Sequence, residues 1–246
     1  MDSFVYLIYT HEEYSDILDI HLKRLDKYFP KLRVSICTNS IDYLEKDFKH
    51  YSFHKIYTYN DKQPYGERLR SVLSQMSEKY VLLNHEHNIF VSNVEVSVLT
   101  KLITTMEEQA IDQLRMFVTG IQHPVFPENL TVVKNNGDYY ISCATTLWRR
   151  DILLKITTAF FDHSFRCFEC EPIQSYVSQF NNYYLSSSND VLFVNEGHYL
   201  SYYFPVAHLT GNGKWRTNTP TNRFFIEELA EEYNIDLNKR GKLTHI

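Results

Sequence analysis

Tyr80-Val81-Leu82-Leu83-Asn84-His85-Glu86-His87-Asn88 is the stretch on which the reading of this chain turns. Lys79 to Leu83 is a short, almost continuous apolar run, the pattern of a strand buried on both faces of a sheet. The run then breaks into Asn84, His85, Glu86, His87 and Asn88, where every side chain is polar or ionisable. In open α/β sheets ligands bind outside the carboxyl ends of the strands. A polar cluster at the end of a buried strand is therefore a candidate binding site.

The flanking sequence supplies the rest of such a sheet. Phe4 to Tyr9 reads as a first strand, Glu12 to Phe29 as a helix closed by Pro30, and Leu32 to Cys37 as a second strand. Ile41 to Phe48 reads as a short helix, Phe53 to Tyr57 as a third strand and Gln63 to Met76 as a helix. Beyond the central stretch come a helix over Val94 to Met106 and a strand over Leu114 to Val118. Alternation of this kind implies a largely parallel sheet with helices on both faces. Tyr9-Thr10 and Thr38-Asn39 are two further polar strand ends.

The second half is more mixed. Leu130 to Val133 and Tyr139 to Ser142 read as a hairpin around Asn136-Gly137. Leu147 to Ile156, Glu171 to Tyr183 and Asn222 to Tyr233 read as helices, and Tyr199 to His208 as strand-like. There is no internal repeat and no linker, so one domain is expected over 1–246. Its first part, 1–120, carries the parallel sheet, and 121–246 forms a mixed α+β half.

Composition narrows the function. The chain has 246 residues, 43% hydrophobic, enough for one sizeable core. The formal charge of -5 gives no basic face for nucleic acid. No run of apolar residues is long enough to span a membrane, and no signal peptide is legible at the start, so the cytoplasm is the default location. Of the four cysteines, Cys167 and Cys170 form a C-x-x-C without the further ligands a zinc site needs; free thiols are expected. The 19 Tyr offer flat faces suited to bases and sugars, although core filling explains many of them.

Several segments, in order along almost the whole chain, resemble a family of bacterial and large-virus GT-A glycosyltransferases. They are Val5-Tyr6-Leu7-Ile8-Tyr9-Thr10 with Tyr14-Ser15-Asp16 and Lys27-Tyr28-Phe29-Pro30, then Tyr65-Gly66-Glu67-Arg68-Leu69. Tyr80-Val81-Leu82-Leu83 with His85-Glu86 resembles that family's metal strand. Leu147-Trp148-Arg149-Arg150-Asp151 with Phe168-Glu169 resembles its acceptor-side block, and Gly213-Lys214-Trp215 with 235–241 its C-terminal end. The resemblance implies a single-domain, Rossmann-like α/β fold of GT-A type. It implies transfer of a sugar from a nucleotide-diphosphate sugar to a glycan or other hydroxyl acceptor. Glu169 is then the base for an inverting displacement, with Glu171 beside Pro172 as its nearest rival and a plain helix-entry carboxylate as the alternative.

The departing diphosphate needs a divalent ion or fixed cations. The resemblance expects an acidic pair, and this chain has Glu86-His87. Three readings stay open. Mn²⁺ or Mg²⁺ binds Glu86 and His87; or the site acts without metal, with His87, Arg68 or Lys214 on the phosphates; or the histidines only hydrogen-bond backbone. Tyr9, Thr10 and Asn39 are expected at the nucleoside, and Asn84 near the donor. Trp148 offers a stacking face if it reaches the cleft, and core packing otherwise. Gly211-Asn212-Gly213-Lys214-Trp215 lacks the Ser or Thr and the spacing of a phosphate loop, yet Lys214 and Arg216 are candidates to approach a diphosphate. Arg240 either does the same or is a surface charge. A binding module without turnover and a nucleotidyltransferase are the alternatives to a glycosyltransferase.

Overall fold

The computed structural model describes residues 3–30, 32–116, 132–135, 140–141, 144–165, 170–185, 198–200, 205–211 and 213–243. Among these the strands are β1 (Phe4–Tyr9), β2 (Val34–Thr38), β3 (Lys55–Thr58), β4 (Tyr80–His85), β5 (Asn88–Phe90), β6 (Gln113–Arg115), β7 (Val132–Lys134), β8 (Thr146–Arg149), β9 (Asn182–Leu185), β10 (His198–Leu200), β11 (Pro205–His208), β12 (Thr210–Gly211) and β13 (Lys214–Trp215). The helices are α1 (Ser15–Tyr28), α2 (Asp42–Asp47), α3 (Tyr65–Ser74), α4 (Val96–Glu108), α5 (Arg150–Ala159), α6 (Glu171–Val177) and α7 (Pro220–Tyr233).

The main sheet has eight strands in the order β3-β2-β1-β4-β8-β6-β9-β7. β3, β2, β1 and β4 run parallel, β8 lies antiparallel between β4 and β6, β9 is parallel to β6, and β7 is antiparallel at the edge. This is the mostly parallel α/β sheet that the alternation of apolar runs predicts. β1 and β4 are buried at every position, as central strands covered on both faces must be.

Alternation along β1 and β4 sorts their side chains into two cores. Tyr6, Ile8, Tyr80 and Leu82 pack with Leu18, Leu22 and Leu25 of α1 and with Leu99 and Leu102 of α4. Val5, Leu7, Val81 and Leu83 pack on the other face with Leu69 and Val72 of α3 and Leu153 and Ile156 of α5. α1 is buried on a second side as well. Its Ile17 and Ile20 meet Ile89, Leu209, Trp215, Ile226 and Leu229, so the C-terminal region packs over α1 and β5. The three-stranded sheet β10-β11-β5 fixes this layer to the strand that follows the central turn.

Two sequence expectations are corrected. Leu147 to Ile156 is not one helix: Leu147 and Trp148 belong to β8, and the helix starts only at Arg150. A strand buried on both faces and running straight into a helix gives one unbroken apolar pattern, which hides the change of period. Tyr183 lies in β9 rather than in a helix over Glu171 to Tyr183. The hairpin expected over 130–142 lies mostly outside the described residues. β7 pairs with β9, and the backbone N–H groups of Tyr140 and Ile141 donate to Oε1 of Gln174.

α3 and α5 approach closely at Gly66. A Cβ there would stand 2.2 Å from the carbonyl oxygen of Phe160, a backbone atom at the end of α5 that cannot swing aside. Gly66→Ala should therefore destabilise the protein by about 1–3 kcal/mol, the usual cost of overpacking. Urea denaturation checks this; an unchanged midpoint would mean the two helices are not packed this tightly.

Candidate active site

The C-terminal ends of β1, β2 and β4 lie side by side, with Tyr9 beside both Cys37 and His85 in register. β4 ends at His85, Glu86 and His87 make the turn, and β5 begins at Asn88. Buried hydrogen bonds fix that turn. Asn84 Nδ2 donates to Tyr6 Oη at 2.6 Å and to the carbonyl of Asn88 at 3.0 Å. Asn84 Oδ1 accepts from Thr145 Oγ1 at 2.7 Å and from the His85 N–H at 3.0 Å. His21 of α1 reaches Tyr6 Oη through Nε2 and the Glu86 carbonyl through Nδ1, each at 2.9 Å. A carbonyl can only accept, so His21 Nδ1 carries the proton, and Nε2 accepts from the Tyr6 hydroxyl. Burial drives the His21 pKa down to about 4, with His87 a smaller cause in the same direction, and the ring is neutral near pH 7.

On the other face of β1 and β4 the end of the sheet is aromatic. The Tyr9 and Tyr59 rings stack at 5.0 Å and 8°. The Tyr59 hydroxyl donates to the Thr10 carbonyl at 2.7 Å. Tyr65 Oη lies 3.1 Å from His85 Nε2, and Phe165, 40% exposed, meets both rings edge-on. Arg68 lies over the Tyr59 ring at 5.2 Å. Its Nε donates to the Gln63 carbonyl at 2.6 Å, and its Nη2 donates to the Asp61 carbonyl.

The turn carries a column of imidazoles. His85 and His87 stack with centroids 5.6 Å apart, and His87 and His208 at 4.3 Å, all within 16° of parallel. β11 brings His208 there, because it pairs with β5 with His208 opposite Asn88, and because the Leu209 N–H donates to the His87 carbonyl at 2.8 Å. Arg216 Nη1 lies 3.3 Å from His208 Nδ1. A guanidinium only donates, so His208 accepts at Nδ1 and holds its own proton on Nε2. Glu86 Oε1 is 3.4 Å from His87 Nδ1. Its carboxylate also faces two phenols: burial first and Glu86 second push Tyr14 up, and burial pushes Tyr43 up to about 12 with Glu86 a lesser cause.

This donor set does not suit a hard divalent ion. Mg²⁺ and Mn²⁺ favour several oxygen ligands. The turn offers one carboxylate, already accepting from His87, beside stacked imidazoles and a guanidinium. Among the described residues no group of three His, Cys, Asp or Glu side chains is arranged to hold a metal.

The expected site residues fall into three groups. Tyr9, Arg68, Glu86 and His87 come together at the strand ends, and Thr10, fully buried beside them, shapes the end of β1 rather than facing a ligand. Asn39 is nearby, but its amide is occupied by Glu12, accepting from the Glu12 N–H at 2.9 Å and donating to Oε1 at 3.1 Å. Asn84, fully buried, supports the turn instead of facing a ligand. Trp148 does not offer a stacking face: it is 1% exposed and packed in the core with Val5, Val81 and Leu153. Lys214 is exposed on the short β12–β13 ribbon. Arg240 is neither a phosphate ligand nor a loose surface charge; it grips Asp16 and the Glu13 carbonyl and covers the Tyr14 ring at 4.5 Å. Glu169 and Cys167 lie outside the described residues, whereas Cys37 and Cys170 are free thiols. His208 and Tyr65 were not legible as site residues, since pairing between β5 and β11 and packing of α3 place them there.

No family model matches the sequence, and no curated protein matches it. Solved structures do resemble it in fold. Residues 1–349 of S. aureus TarS in complex with UDP-GlcNAc superpose with a TM-score of 0.53 at 12% identity, covering 97% of this chain and 69% of that one. A CMP:2-keto-3-deoxy-manno-octonic acid synthetase complexed with CTP gives 0.51 at 11% identity, covering 94% of this chain and 99% of that one. A longer S. aureus TarS structure is matched over only 29% of its length, with 63% of this chain covered, 16% identity and a TM-score of 0.43. The first is a GT-A-like glycosyltransferase and the second a nucleotidyltransferase, and the two classes share this architecture. The chain therefore has the GT-A-like α/β fold, common to both reactions. No described helix is long and apolar enough to cross a membrane.

The neutral, buried His21 makes stability depend on pH. Its folded pKa of about 4 lies below the ordinary value of 6.5, so between these values the unfolded chain binds more protons. The stabilisation is whole above pH ~6.5 and is lost as pH falls towards ~4, to a limit of about 3 kcal/mol at 1.36 kcal/mol per pH unit. His21→Gln removes this titration. Urea denaturation across that range should show a steeper acid loss in the parent than in the variant; equal slopes would contradict a neutral His21.

Proposed function

We propose that the chain is a nucleotide-sugar-dependent glycosyltransferase, with the donor seated across the C-terminal ends of β1, β2 and β4. The fold supports a transferase that acts on nucleotide derivatives. The observation that favours glycosyl over nucleotidyl transfer is the distribution of charge around β1 and β4. A triphosphate cradle after β1 would need glycines with inward N–H groups, or basic side chains. The segment Thr10-His11-Glu12-Glu13-Tyr14 has no glycine, lysine or arginine and carries two carboxylates. The imidazoles and Arg216 gather instead at the end of β4, where the diphosphate of a donor lying over β1 and β2 would reach.

In this reading Tyr9 flanks the nucleoside, and Arg68 borders it from the start of α3. Phe165 and Tyr65 give an apolar wall beside His85 for a sugar ring. Glu169 remains the proposed base for an inverting transfer to a glycan or other hydroxyl acceptor, on its sequence context alone. Nucleotidyl transfer is the second reading. The fold supports it as well, since a nucleotidyltransferase shares this architecture.

Two measurements separate these readings. A ligand that binds the native state raises its apparent stability, so nucleoside diphosphates and their sugars should raise the melting temperature. Glycosyl transfer then releases a nucleoside diphosphate, and Glu169→Gln should abolish release while donor binding persists. Release of inorganic diphosphate from a nucleoside triphosphate would establish the second reading. The absence of any thermal shift with diphosphates, their sugars and triphosphates would remove both.

A further inference from the structure

Resting on the donor site proposed above, we infer that the diphosphate is held without a divalent cation, by His208 and Arg216, with His87 stacked behind His208. The chemistry of the β4–β5 turn supports this. The donor's diphosphate needs positive charge and hydrogen-bond donors at the end of β4. Metal-using sites meet this need with carboxylates that recruit the ion. Here Glu86 is the one carboxylate of the turn, and it is 6% exposed and engaged by His87. A cationic side chain stands where a metal would have to be tolerated: Arg216 is 3.3 Å from His208, which is itself stacked on His87 at 4.3 Å. A dication beside that guanidinium would be repelled, whereas an anion there is attracted.

The protein has fixed these groups in advance. His87 is held by the Asn84–His21 network behind it and by the Leu209 N–H on its carbonyl. His208 is held by pairing of β11 with β5, and its ring proton is set on Nε2 by Arg216. Arg216 has its backbone N–H bonded to the Leu209 carbonyl at 2.9 Å, and its buried Nε has no hydrogen-bond partner among the described residues. A planar guanidinium suits phosphate oxygens, and the Nε2–H of His208, held in a rigid stack on His87, needs little reorganisation when the anion arrives. The recognised ligand is the diphosphate group of a nucleotide or nucleotide sugar, whatever its base.

The test is isothermal calorimetry of the full chain, stripped with EDTA, against uridine, cytidine, adenosine and guanosine diphosphates and the corresponding nucleosides, with and without added Mn²⁺. The expected result is binding of one diphosphate in EDTA, changed less than threefold by Mn²⁺. Arg216→Ala and His208→Ala should each weaken that diphosphate roughly tenfold to a hundredfold, the loss of one charge-assisted hydrogen bond, and leave nucleoside affinity unchanged. Equal losses for diphosphate and nucleoside would mean that the variants damage the fold around the base and would overturn the assignment. So would a diphosphate that binds only when Mn²⁺ is present, and in that case the donor-site reading survives. Failure of every diphosphate under both conditions would remove the donor site as well.

Discussion

A hydrogen-bond chain running from Asn84 through Tyr6 and His21 to the carbonyl of Glu86 holds the β4–β5 turn in place. Each hydrogen in it has a determined direction. The Asn84 amide donates to Tyr6, the Tyr6 hydroxyl to His21, and His21 to the backbone. Its members come from β1, α1 and β4, so the two central strands and the helix that covers them cannot shift independently. Buried polar groups are costly unless paired, and Asn84 meets this with four partners. The turn it braces carries the ionisable groups of the site. Loss of any member would leave a buried polar group unpaired at the point where the ligand-facing side chains begin.

The same constraint explains the layout of charge. The face of β1 and β4 towards α1 holds the neutral network, and the opposite face holds Tyr9, Tyr65 and His85 with Phe165 beside them. The turn itself projects His87 towards the C-terminal layer, where β11 presents His208 and the following segment presents Arg216. That layer is tied down by Trp215 in the third core and by Arg240 on Asp16. This side of the site is thus built from the start of α1, the β4–β5 turn and a segment some 120 residues later in the chain (Leu209 and its neighbours).

Much of the sheet was legible because parallel strands buried on both faces must be apolar runs, and Phe4–Tyr9 and Tyr80–Leu83 are such runs. The polar tail after Leu83 marked the strand end to within two residues, because Asn84 and His85 still belong to β4. The later half resisted reading for reasons of physics. β7 pairs with β9, a partner some fifty residues away that no local pattern announces. Leu147 and Trp148 form a strand whose apolar pattern continues without a break into α5. At the site, residue type suggested a role for Asn84, yet complete burial and four internal partners give it a supporting one. His208 carried no local signal at all. Only the β5–β11 pairing shows that a histidine 121 positions from His87 stacks on its ring.

The central claim is one of place: the nucleotide lies over the ends of β1 and β2, and its phosphates meet the β4–β5 turn. A crystal structure of the chain with the nucleoside diphosphate that binds it tests this most directly. The account predicts the base beyond the end of β1 beside Tyr9, with phosphate oxygens within hydrogen-bonding distance of His208 or Arg216. Phosphates seated instead on the Thr10–Tyr14 segment, or a nucleotide bound away from these strand ends, would contradict it.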